Sequence, residues 1–594
     1  MTDASSAGPI HRPLIKIEGT VLAPDVIDKL IDCRLDLAIG RPGQAVLRFL
    51  DEQFSVLDGA LFQVGKVVTI GFAKGSNDVE PSFDGEIVSL GIETGPNDEP
   101  VLTATAYDRA HRLARNSAGK VFANQKYSDI VSAMASEVGM QSACTATTIT
   151  FPYVLQTTNS AALLNEITAR TGMVWWVDGK KLTVKPPAAA ASASVVLERG
   201  RNLRRIRAVS SAQTISDEVT VRSWDPKSKK AIVGQSASRP ASLASTSLVT
   251  GTRTGSNSFA TSKRTATTRS SLSQNEAEQV AKAMHERAMS DELSLRGEAE
   301  GNADIKVGGT VEVKGVGTKL SGRYFVTTVE HVYSGRDYRT RFTSAGTAPS
   351  TLVDLLAGGA PVPWHRMGPV VGLVSDLGTG ENEGLVKVKL PLLGDNIATN
   401  WARVMSVGAG ATRGSLVMPS INDEVLVMFE DGDLRRPVVL GSLWNGIDKP
   451  PSPVVENGKV IEWVTKSQLG HTLTFRDGSA DDKKNVEIAL ADKTIKLFLG
   501  TDKVELFAKD GKPLQLKSGD ATITFTAQGD IEIKGGNIKL TATKDVEITG
   551  TNVKITGNST AVVKGNSSVE LSGAMAKINA SGVTEVKGSI VKIN

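Results

Sequence analysis

The chain has 594 residues, enough for about four domains, and a net charge of only +4. Two cysteines, Cys33 and Cys144, exclude a disulfide scaffold and an all-cysteine zinc site within one chain. No basic segment followed by an apolar run stands at the N-terminus, and no apolar run approaches about 18 residues, so we expect neither a Sec signal peptide nor a transmembrane helix. The 57 glycines and the 5% aromatic content are typical of a β-rich chain.

Residues 1–187 are predicted to form one domain, in which a β-sandwich or small β-barrel is followed by a helical insert. Short, nearly alternating strands separated by Gly, Pro and Asp occupy residues 14–120. Two helices follow, one capped by Ser128 and ending at Gly139, the other capped within 158–160 and ending at Gly172. A hairpin then turns at Asp178-Gly179.

Residues 195–350 are predicted to form a second domain that contains several strands and one helix. Its helix begins at the capping box SQNE, residues 273–276, and residues 303–344 are strongly strand-like. His331 alternates with the apolar positions of that segment, which predicts a packed histidine. Between these parts, the basic Ser/Thr-rich stretch 235–272 has no acidic residue. Its composition predicts a disordered or mobile insertion, with a contact to an acidic partner as the alternative.

Residues 365–447 contain five short strands with glycine turns, the pattern of an OB-type barrel. An OB surface that binds nucleic acid combines basic and aromatic residues, whereas this polar turn is acidic, so we expect no nucleic-acid binding. We interpret the acidic residues as a solvated hairpin and not as a glycosidase pair. They are Asp423, Glu424, Glu430, Asp431 and Asp433.

Residues 465–594 carry a repeat in which two apolar residues lie two positions apart, on one face of a strand. From about residue 531 the pairs recur every seven or eight residues, and after Phe525 there is no aromatic residue, proline, cysteine or histidine. One series of aliphatic residues recurs every fifteen positions, and further aliphatic residues lie between its members. The predicted core residues are Ile533, Ile548, Val563, Ile578 and Ile593, with Leu540, Ile555 and Leu571.

Strands of three or four residues must stack on copies of themselves to bury enough apolar surface. A single-chain β-helix, the alternative, usually needs about 20 residues per coil. Three identical chains would close a triangle with one strand and one corner per step. The repeat therefore favours an intertwined homotrimeric β-prism or β-helix needle.

The repeat resembles the needle of the T-even phage central spike and of the VgrG spikes of type VI secretion and related contractile injection systems. The N-terminal half resembles the phage-type hub domain, and MPSINDEVLVMFEDGDLRRPVVLGSLWNG, residues 418–446, is similar to the spike OB domain. The hub phrases are FDGEIVSL (83–90), YDRAHRLARN (107–116), YSDIVSAMASEVGM (127–140) and LQTTNSAALLNEITARTGMVWWVDGKKLTV (155–184), with Gly322, Tyr324, Val326, His331, Tyr338 and Thr340 in the second barrel.

This resemblance implies a mainly β fold with two hub β-barrel domains and a few helices, an OB-type neck and a trimeric needle. It implies a homotrimer that connects an inner tube protein or tube initiator to baseplate proteins and carries a PAAR-type tip protein. The particle would pierce the target envelope mechanically and contact the target membrane only on firing. The acidic, Phe-containing version of the last hub phrase that is usual in type VI VgrG is absent, which favours an extracellular injection system or a phage-tail-like particle.

The resemblance also sets expectations for location and for the tip. We expect synthesis in the bacterial cytoplasm and assembly into an injection particle that is released from the cell. The last strand, residues 589–594, keeps the repeat pattern, and we expect Ile590, Val591 and Ile593 to dock the tip protein.

No motif for catalysis, a cofactor or a metal is found. The six histidines form no H-E-x-x-H pattern, and there is no G-x-S-x-G elbow or Walker A loop. We therefore expect a protein that is not an enzyme and holds no cofactor or metal. The alternatives are a trimeric tailspike or adhesin that binds or cleaves surface glycan, and a spike with a catalytic site within 195–345.

Overall fold

This computed structural model describes residues 12–73, 79–95, 99–115, 119–188, 195–213, 215–266, 271–335, 337–344, 368–480 and 483–593. The chain divides into two compact units, Met1–Lys449 and Pro450–Asn594. The elements are mainly β-strands, which confirms the predicted fold class. None of the described helices is both long and apolar enough to cross a membrane.

The described residues of the first part of unit 1 form twelve strands and four helices. The strands are β1 Arg12–Ile17, β2 Thr20–Val21, β3 Leu30–Ala38, β4 Gln44–Leu50, β5 Val67–Ala73, β6 Phe83–Glu93, β7 Val101–Asp108, β8 Lys120–Lys126, β9 Gln141–Cys144, β10 Thr150–Gln156, β11 Val174–Asp178 and β12 Lys181–Lys185. The helices are α1 Pro24–Ile27, α2 His111–Arg115, α3 Tyr127–Glu137 and α4 Ser160–Thr171.

In the next part, up to Ser344, the residues that the structure describes form eleven strands and three helices. The strands are β13 Val195–Glu198, β14 Leu203–Ser210, β15 Glu218–Asp225, β16 Lys230–Ser236, β17 Ala244–Ser245, β18 Lys263–Ala266, β19 Leu293–Glu300, β20 Thr310–Lys314, β21 Gly322–Phe325, β22 Thr328–Ser334 and β23 Asp337–Ser344. The helices are α5 Ser247–Ser256, α6 Gln274–Met289 and α7 Gly317–Leu320.

One sheet of eleven strands joins the two predicted barrel regions, in the order β14-β19-β23-β22-β3-β4-β7-β6-β5-β1-β2. The junction is the antiparallel pair β22–β3, in which His331 lies opposite Leu35. Each region has its own core, one around Phe49 and Phe62 and the other around Tyr324 and Phe342. The two halves are therefore connected through backbone hydrogen bonds as well as through the chain.

The helical insert packs α3 and α4 on a core that contains Trp175. The Asn159 side chain caps α4 by accepting from the Ala162 backbone N–H, and Gly172 ends it in the left-handed conformation, as predicted. Helix α3 begins at Tyr127, one residue before the predicted cap. The hairpin at Asp178-Gly179 is confirmed by the β11–β12 pairing.

The prediction of a disordered insertion at 235–272 is wrong for its described residues. Thr246 caps α5 by accepting from the Val249 backbone N–H, and β18 pairs with β15. The Arg239 guanidinium pairs with Asp217, and Arg253 pairs with Glu292. The stretch lacks acidic residues of its own, but acidic residues outside it neutralise these two arginines; residues 267–270 lie outside the described residues.

The predicted OB-type region forms a closed barrel in the order β24-β25-β26-β30-β29, which confirms all five strands. Its elements are β24 Val370–Leu377, β25 Leu385–Lys389, β26 Ala402–Val404, β27 Ala409–Gly410, β28 Arg413–Gly414, β29 Glu424–Phe429 and β30 Pro437–Ser442, with 3-10 turns at Gly380–Asn382 and Glu430–Gly432. The predicted start of this region, residues 365–367, lies outside the described residues.

Unit 2 consists of hairpins followed by an extended segment. Its strands are β31 Val455–Glu456, β32 Lys459–Val460, β33 Glu462–Lys466, β34 Thr472–Asp477, β35 Lys484–Ala489, β36 Ile495–Gly500, β37 Val504–Ala508, β38 Leu514–Ser518, β39 Ala521–Phe525 and β40 Ile531–Lys534. Strands β33 to β37 form one antiparallel sheet, and β38 to β40 form another. No strand is present within residues 535–593.

These hairpins correct part of the repeat prediction. Between residues 484 and 534 the backbone does find partners within one chain; Ile488 lies opposite Leu497, and Ile523 opposite Ile533. Their aliphatic side chains nevertheless remain accessible, since Ile488 is 51% exposed. Antiparallel pairing satisfies the backbone but supplies no second apolar layer.

Candidate assembly surfaces

The turn between β29 and β30 joins the OB barrel to the rest of unit 1. Asp431 and Gly432 adopt left-handed backbone conformations, with φ of 53° and 74°. Such a tight reversal favours glycine and is tolerated by aspartate. The turn directs Arg435 toward α6, where its side chain is only 5% exposed.

Arg435 lies among two carboxylates and one ring. Its Nη1 donates to Glu276 Oε1 at 2.8 Å, and its Nη2 donates to Asp433 Oδ2 at 2.7 Å. The guanidinium carbon lies 5.5 Å from the centre of the Phe151 ring. Burial alone would lower the pKa of Arg435, but the charges of Asp433 and Glu276 raise it well above its usual value.

Arg170 of α4 completes a buried four-residue cluster, which we call the junction cluster: Arg170, Glu276, Asp433 and Arg435. Arg170 Nη1 donates to the same Glu276 Oε1 at 3.1 Å, and its Nη2 is 3.8 Å from Asp433 Oδ2. The other Glu276 oxygen accepts from the Leu272 backbone N–H at 2.8 Å. Two cations therefore share two carboxylates where water is excluded.

An apolar contact runs beside the junction cluster. Tyr153 and Leu155 of β10 are buried in the same core cluster as Val386 and Val388 of the OB barrel. The Tyr153 hydroxyl donates to the Ala398 carbonyl oxygen at 2.6 Å. The OB barrel is thus fixed to the helical insert by an apolar contact and by an ionic one.

The interpretation of residues 423–433 as a solvated hairpin is wrong at Asp433. Its side chain is 7% exposed, because Arg435 and Arg170 from both sides of the junction cover it. Glu430 is also paired, with Arg403 and Arg436. Asp433 and Glu430 are thus engaged by arginines, and Asp433 helps to hold the turn against α4 and α6.

The described histidines do not gather into a reactive centre. His331 is packed as predicted, at 1% exposure, with its Nδ1 2.9 Å from the Tyr338 hydroxyl. Burial lowers the pKa of His331 to about 3. Among the described residues, no three His, Cys, Asp or Glu side chains lie together as metal ligands; His11 and His365 lie outside them.

The predicted needle core is exposed in the single chain. The exposed fractions range from 50% at Ile533 to 89% at Ile593. The other members of this set are Ile548, Val563, Ile578, Leu540, Ile555 and Leu571. The tip residues Ile590, Val591 and Ile593 are exposed as well, at 49% or more. In the single chain the predicted core and tip residues of 535–593 are exposed, as the other residues of this segment are. Their burial therefore does not distinguish core, tip and surface positions.

Two family models match the chain. Residues 13–334 match the Alg8 N-terminal domain. Residues 370–444 match the type VI secretion system/phage-baseplate injector OB domain. The second match coincides with the closed five-stranded barrel.

Curated relatives match over short stretches. The type VI secretion system spike protein VgrG2a of Pseudomonas aeruginosa is 36% identical over 118 residues, which is 18% of this chain and 14% of that protein. VgrG1a of the same organism is 33% identical over 88 residues, 15% of this chain and 14% of that protein. The matched stretches thus cover about a seventh of each relative's length.

Solved structures resemble larger parts of the fold. The E. coli c3393 protein, described as a type VI secretion component similar to the T4 tail proteins gp27 and gp5, covers 72% of this chain and 99% of its own, with TM-score 0.48 and 12% identity. The 43 kDa tail protein of prophage MuSo2 from Shewanella oneidensis covers 57% and 98%, with TM-score 0.44 and 11% identity. Both TM-scores are below 0.5.

Over residues 370–444 the chain is similar to an injector OB domain, and over 118 residues it is similar in sequence to a VgrG spike protein. More than half of its length matches one family model, so the chain belongs to the Alg8 N-terminal domain family. The junction cluster was not identified from sequence. The only sequence feature that points to the junction cluster is the pair Arg435-Arg436, which closely follows an acidic turn.

Proposed function

We propose that three copies of this chain form the spike and the tube-to-baseplate hub of a contractile injection system. The observation that carries this proposal is the regular row of aliphatic side chains that a single chain leaves in water. Ile548, Val563 and Ile578 keep the fifteen-residue spacing, and each is at least 65% exposed. Monomeric soluble proteins rarely expose contiguous apolar patches larger than a few hundred Å².

Winding three chains together would bury this row. Fully burying one Val, Leu or Ile side chain stabilises by about 1.5–3 kcal/mol. The exposed backbone of 535–593 would at the same time find strand partners in neighbouring chains. Assembly would therefore remove both the exposure of the aliphatic side chains and the lack of strand partners for the backbone. A rod paired in this way would be stiff.

The proposed action is mechanical and not enzymatic. Contraction of a sheath drives the rod through the target envelope, and the spike contacts the target membrane only then. The hub connects to an inner tube protein or tube initiator and to baseplate proteins. The chain is made in the bacterial cytoplasm and assembles into an injection particle that is released from the cell.

A PAAR-type tip protein is proposed to dock on Ile590, Val591 and Ile593. The family resemblance supports this proposal, because the exposure of these residues is shared with the whole segment 535–593. Deleting residues 587–594 should abolish co-purification of a co-expressed tip protein while the trimer survives. Unchanged co-purification would place the docking surface elsewhere.

Light scattering on the purified chain tests the oligomeric state. We expect three times the chain mass of 62.7 kDa. A monomer mass would contradict the proposal. Negative-stain images of the same sample should show a head with one thin straight needle, and a rounded particle would also contradict it.

A further inference from the structure

The eleven-stranded sheet ends at one side in a strand dense in arginine. Strand β14 is the first strand in the sheet order and pairs there only with β19. The nine residues from 199 to 207 contain five arginines, all exposed: Arg199, Arg201, Arg204, Arg205 and Arg207. Leu203 at the start of β14 also forms an isolated bridge with Arg199. Beyond it, no strand in the described part of the chain pairs with the other side of β14, so the outward N–H and C=O groups there are open to a partner.

The cross-strand register places like charges against each other. Arg207 of β14 lies directly opposite Arg296 of β19, and Arg205 lies opposite Glu298. Both members of the Arg207–Arg296 pair are exposed on one face of the sheet. Like charges directly opposite in an antiparallel pair are destabilising, so this arrangement costs the isolated chain stability.

The acidic residues nearby are engaged elsewhere. Glu298 lies 3.0 Å from Arg341 and 3.9 Å from Arg339. Asp337 pairs with Arg204 and Arg339. Among the described residues no ion pair involves Arg205, Arg207 or Arg296. The neighbouring strands thus have charges that compensate one another, whereas Arg205 and Arg207 of the edge strand β14 and Arg296 of β19 have no acidic partner among the described residues; we call these three residues the arginine edge.

Protection against aggregation explains part of this pattern, since charged side chains on an edge strand discourage pairing with other edges. That purpose requires charge on the edge strand, but it does not require a like-charged cross-strand pair such as Arg207–Arg296, which is destabilising. The excess of one sign instead selects for a strand of opposite charge.

We propose that the arginine edge binds an extended, carboxylate-rich segment of a partner protein, which adds to the sheet as a strand beside β14. Backbone hydrogen bonds would supply affinity and alternate side chains specificity. Carboxylates two residues apart on such a segment lie on one face, as Arg205 and Arg207 do, and the arginine fork matches a carboxylate in two hydrogen bonds. This inference goes beyond the proposed trimeric spike, because it concerns an edge of the hub sheet and a different molecule.

Protein fits this surface better than single-stranded nucleic acid does. Binding of single strands combines basic residues with aromatic side chains on which bases stack. Strands β14 and β19 contain no aromatic residue. The arginine edge offers charge and open backbone, the two features that an acidic strand can use together.

The test uses the full-length protein and a fluorescein-labelled peptide of four Glu-Thr repeats, with binding followed by anisotropy. The double variant Arg205→Glu/Arg207→Glu should weaken binding at least ten-fold. The control Lys227→Glu/Lys229→Glu changes the charge equally in an exposed turn and should bind as the unmodified protein does. Equal binding by both double variants would overturn the proposal, as would a fall in oligomer mass of the arginine variant, which would make the edge a subunit contact.

Two N-methylated peptides separate strand addition from charge attraction on the unmodified protein, so the result does not depend on the folding of a variant. One peptide carries N-methyl groups on every Glu and the other on every Thr, with the charge unchanged. Only alternate N–H groups of an added strand face β14, so one peptide should lose binding and the other should keep it. Equal binding by both, or equally tight binding of an eight-residue thymidine oligonucleotide, would overturn the proposal.

Discussion

Arg435 and Glu276 bring opposite charges together where water is excluded, although 159 residues separate them in the chain. A buried ion pair adds little net stability compared with apolar packing, but removing one partner leaves an uncompensated buried charge. We therefore expect the junction cluster to act mainly by keeping the OB barrel in one defined position on the helical insert.

Replacing Glu276 by Gln should destabilise the junction by about 1.5–3 kcal/mol, the usual contribution of hydrogen bonds to charged groups, because Arg435 keeps Asp433 and Arg170 keeps Glu166 as ionic partners. The side chain keeps its shape, but Arg170 and Arg435 lose one of their two shared carboxylates. Native-state hydrogen exchange of the amides of α6 and β30 should report the loss as faster exchange.

The matched control is Asp32→Asn, which removes the partner of Arg48 in a pair that is 21% and 44% exposed. Exposed pairs contribute about 0–1 kcal/mol, so exchange in its own strand, β3, should change little. If both variants changed the exchange of the strands and helices around them equally, the junction cluster would not be acting as a buried unit.

His331 should make the hub sensitive to acid. Its pKa is about 3 in the folded chain, against about 6.5 in an unfolded one. Between these values the unfolded chain binds the extra proton, so the free energy of unfolding falls as pH falls from about 6.5 toward 3. The limiting slope for one group is about 1.4 kcal/mol per pH unit.

The variant His331→Gln removes this titration. It should be less stable than the unmodified chain at pH 7, because the packing against Phe72 and Tyr338 is altered. The difference between the two proteins should narrow on acidification to pH 4.5, as measured by hydrogen exchange of β22 and β23. A constant difference across this range would mean that His331 does not titrate as described.

At the scale of the element, the repeat of 531–593 separates two kinds of position that look alike in one chain. Ile548 and Lys544 are both exposed. The fifteen-residue spacing assigns Ile548 to the interior of the proposed needle, and that interior exists only when several chains assemble. The two positions are therefore a direct test of the intertwined needle.

We expect Ile548→Asp to disrupt the needle far more than Lys544→Asp. In a trimer the first change buries three unpaired carboxylates in one layer, at a cost of several kcal/mol for each group. The second places its carboxylate in solvent at a turn. Resistance to SDS and to protease measures the difference, and equal resistance of the two variants would refute the assignment of faces.

At the scale of the whole molecule, the proposed trimer should dissociate very slowly. The eight predicted core positions occur in each of three chains, and each buried aliphatic side chain contributes about 1.5–3 kcal/mol. Separating the chains would expose all of them and break the strand pairs between chains.

Subunit exchange measures this property. Two trimer populations with different affinity tags are mixed, and mixed trimers are counted after capture on one tag. We expect no exchange over days in native buffer, but complete mixing after joint unfolding and refolding. Rapid exchange in native buffer would show that the chains associate without being wound together.

Several features could be predicted from the sequence because they depend on neighbouring residues. The Asn159 cap, the Gly172 stop and the Asp178-Gly179 turn need only local backbone chemistry. The five barrel strands and the fifteen-residue repeat follow from alternation and spacing, which can be counted along the chain. The same local rules failed at 235–272, where composition suggested disorder but distant carboxylates neutralise Arg239 and Arg253.

The tertiary structure alone decided which distant residues meet. The pairing of β22 with β3 joins both barrel regions in one sheet. No local sequence pattern predicts the register of this pairing. Asp433 becomes buried only because α4 and α6 bring Arg170 and Glu276 to its turn. Arg207 faces Arg296 only through the register of β14 on β19. The sequence determines which residues are charged. Whether a charged side chain is exposed to solvent, forms an ion pair or faces a like charge depends on contacts between residues far apart along the chain.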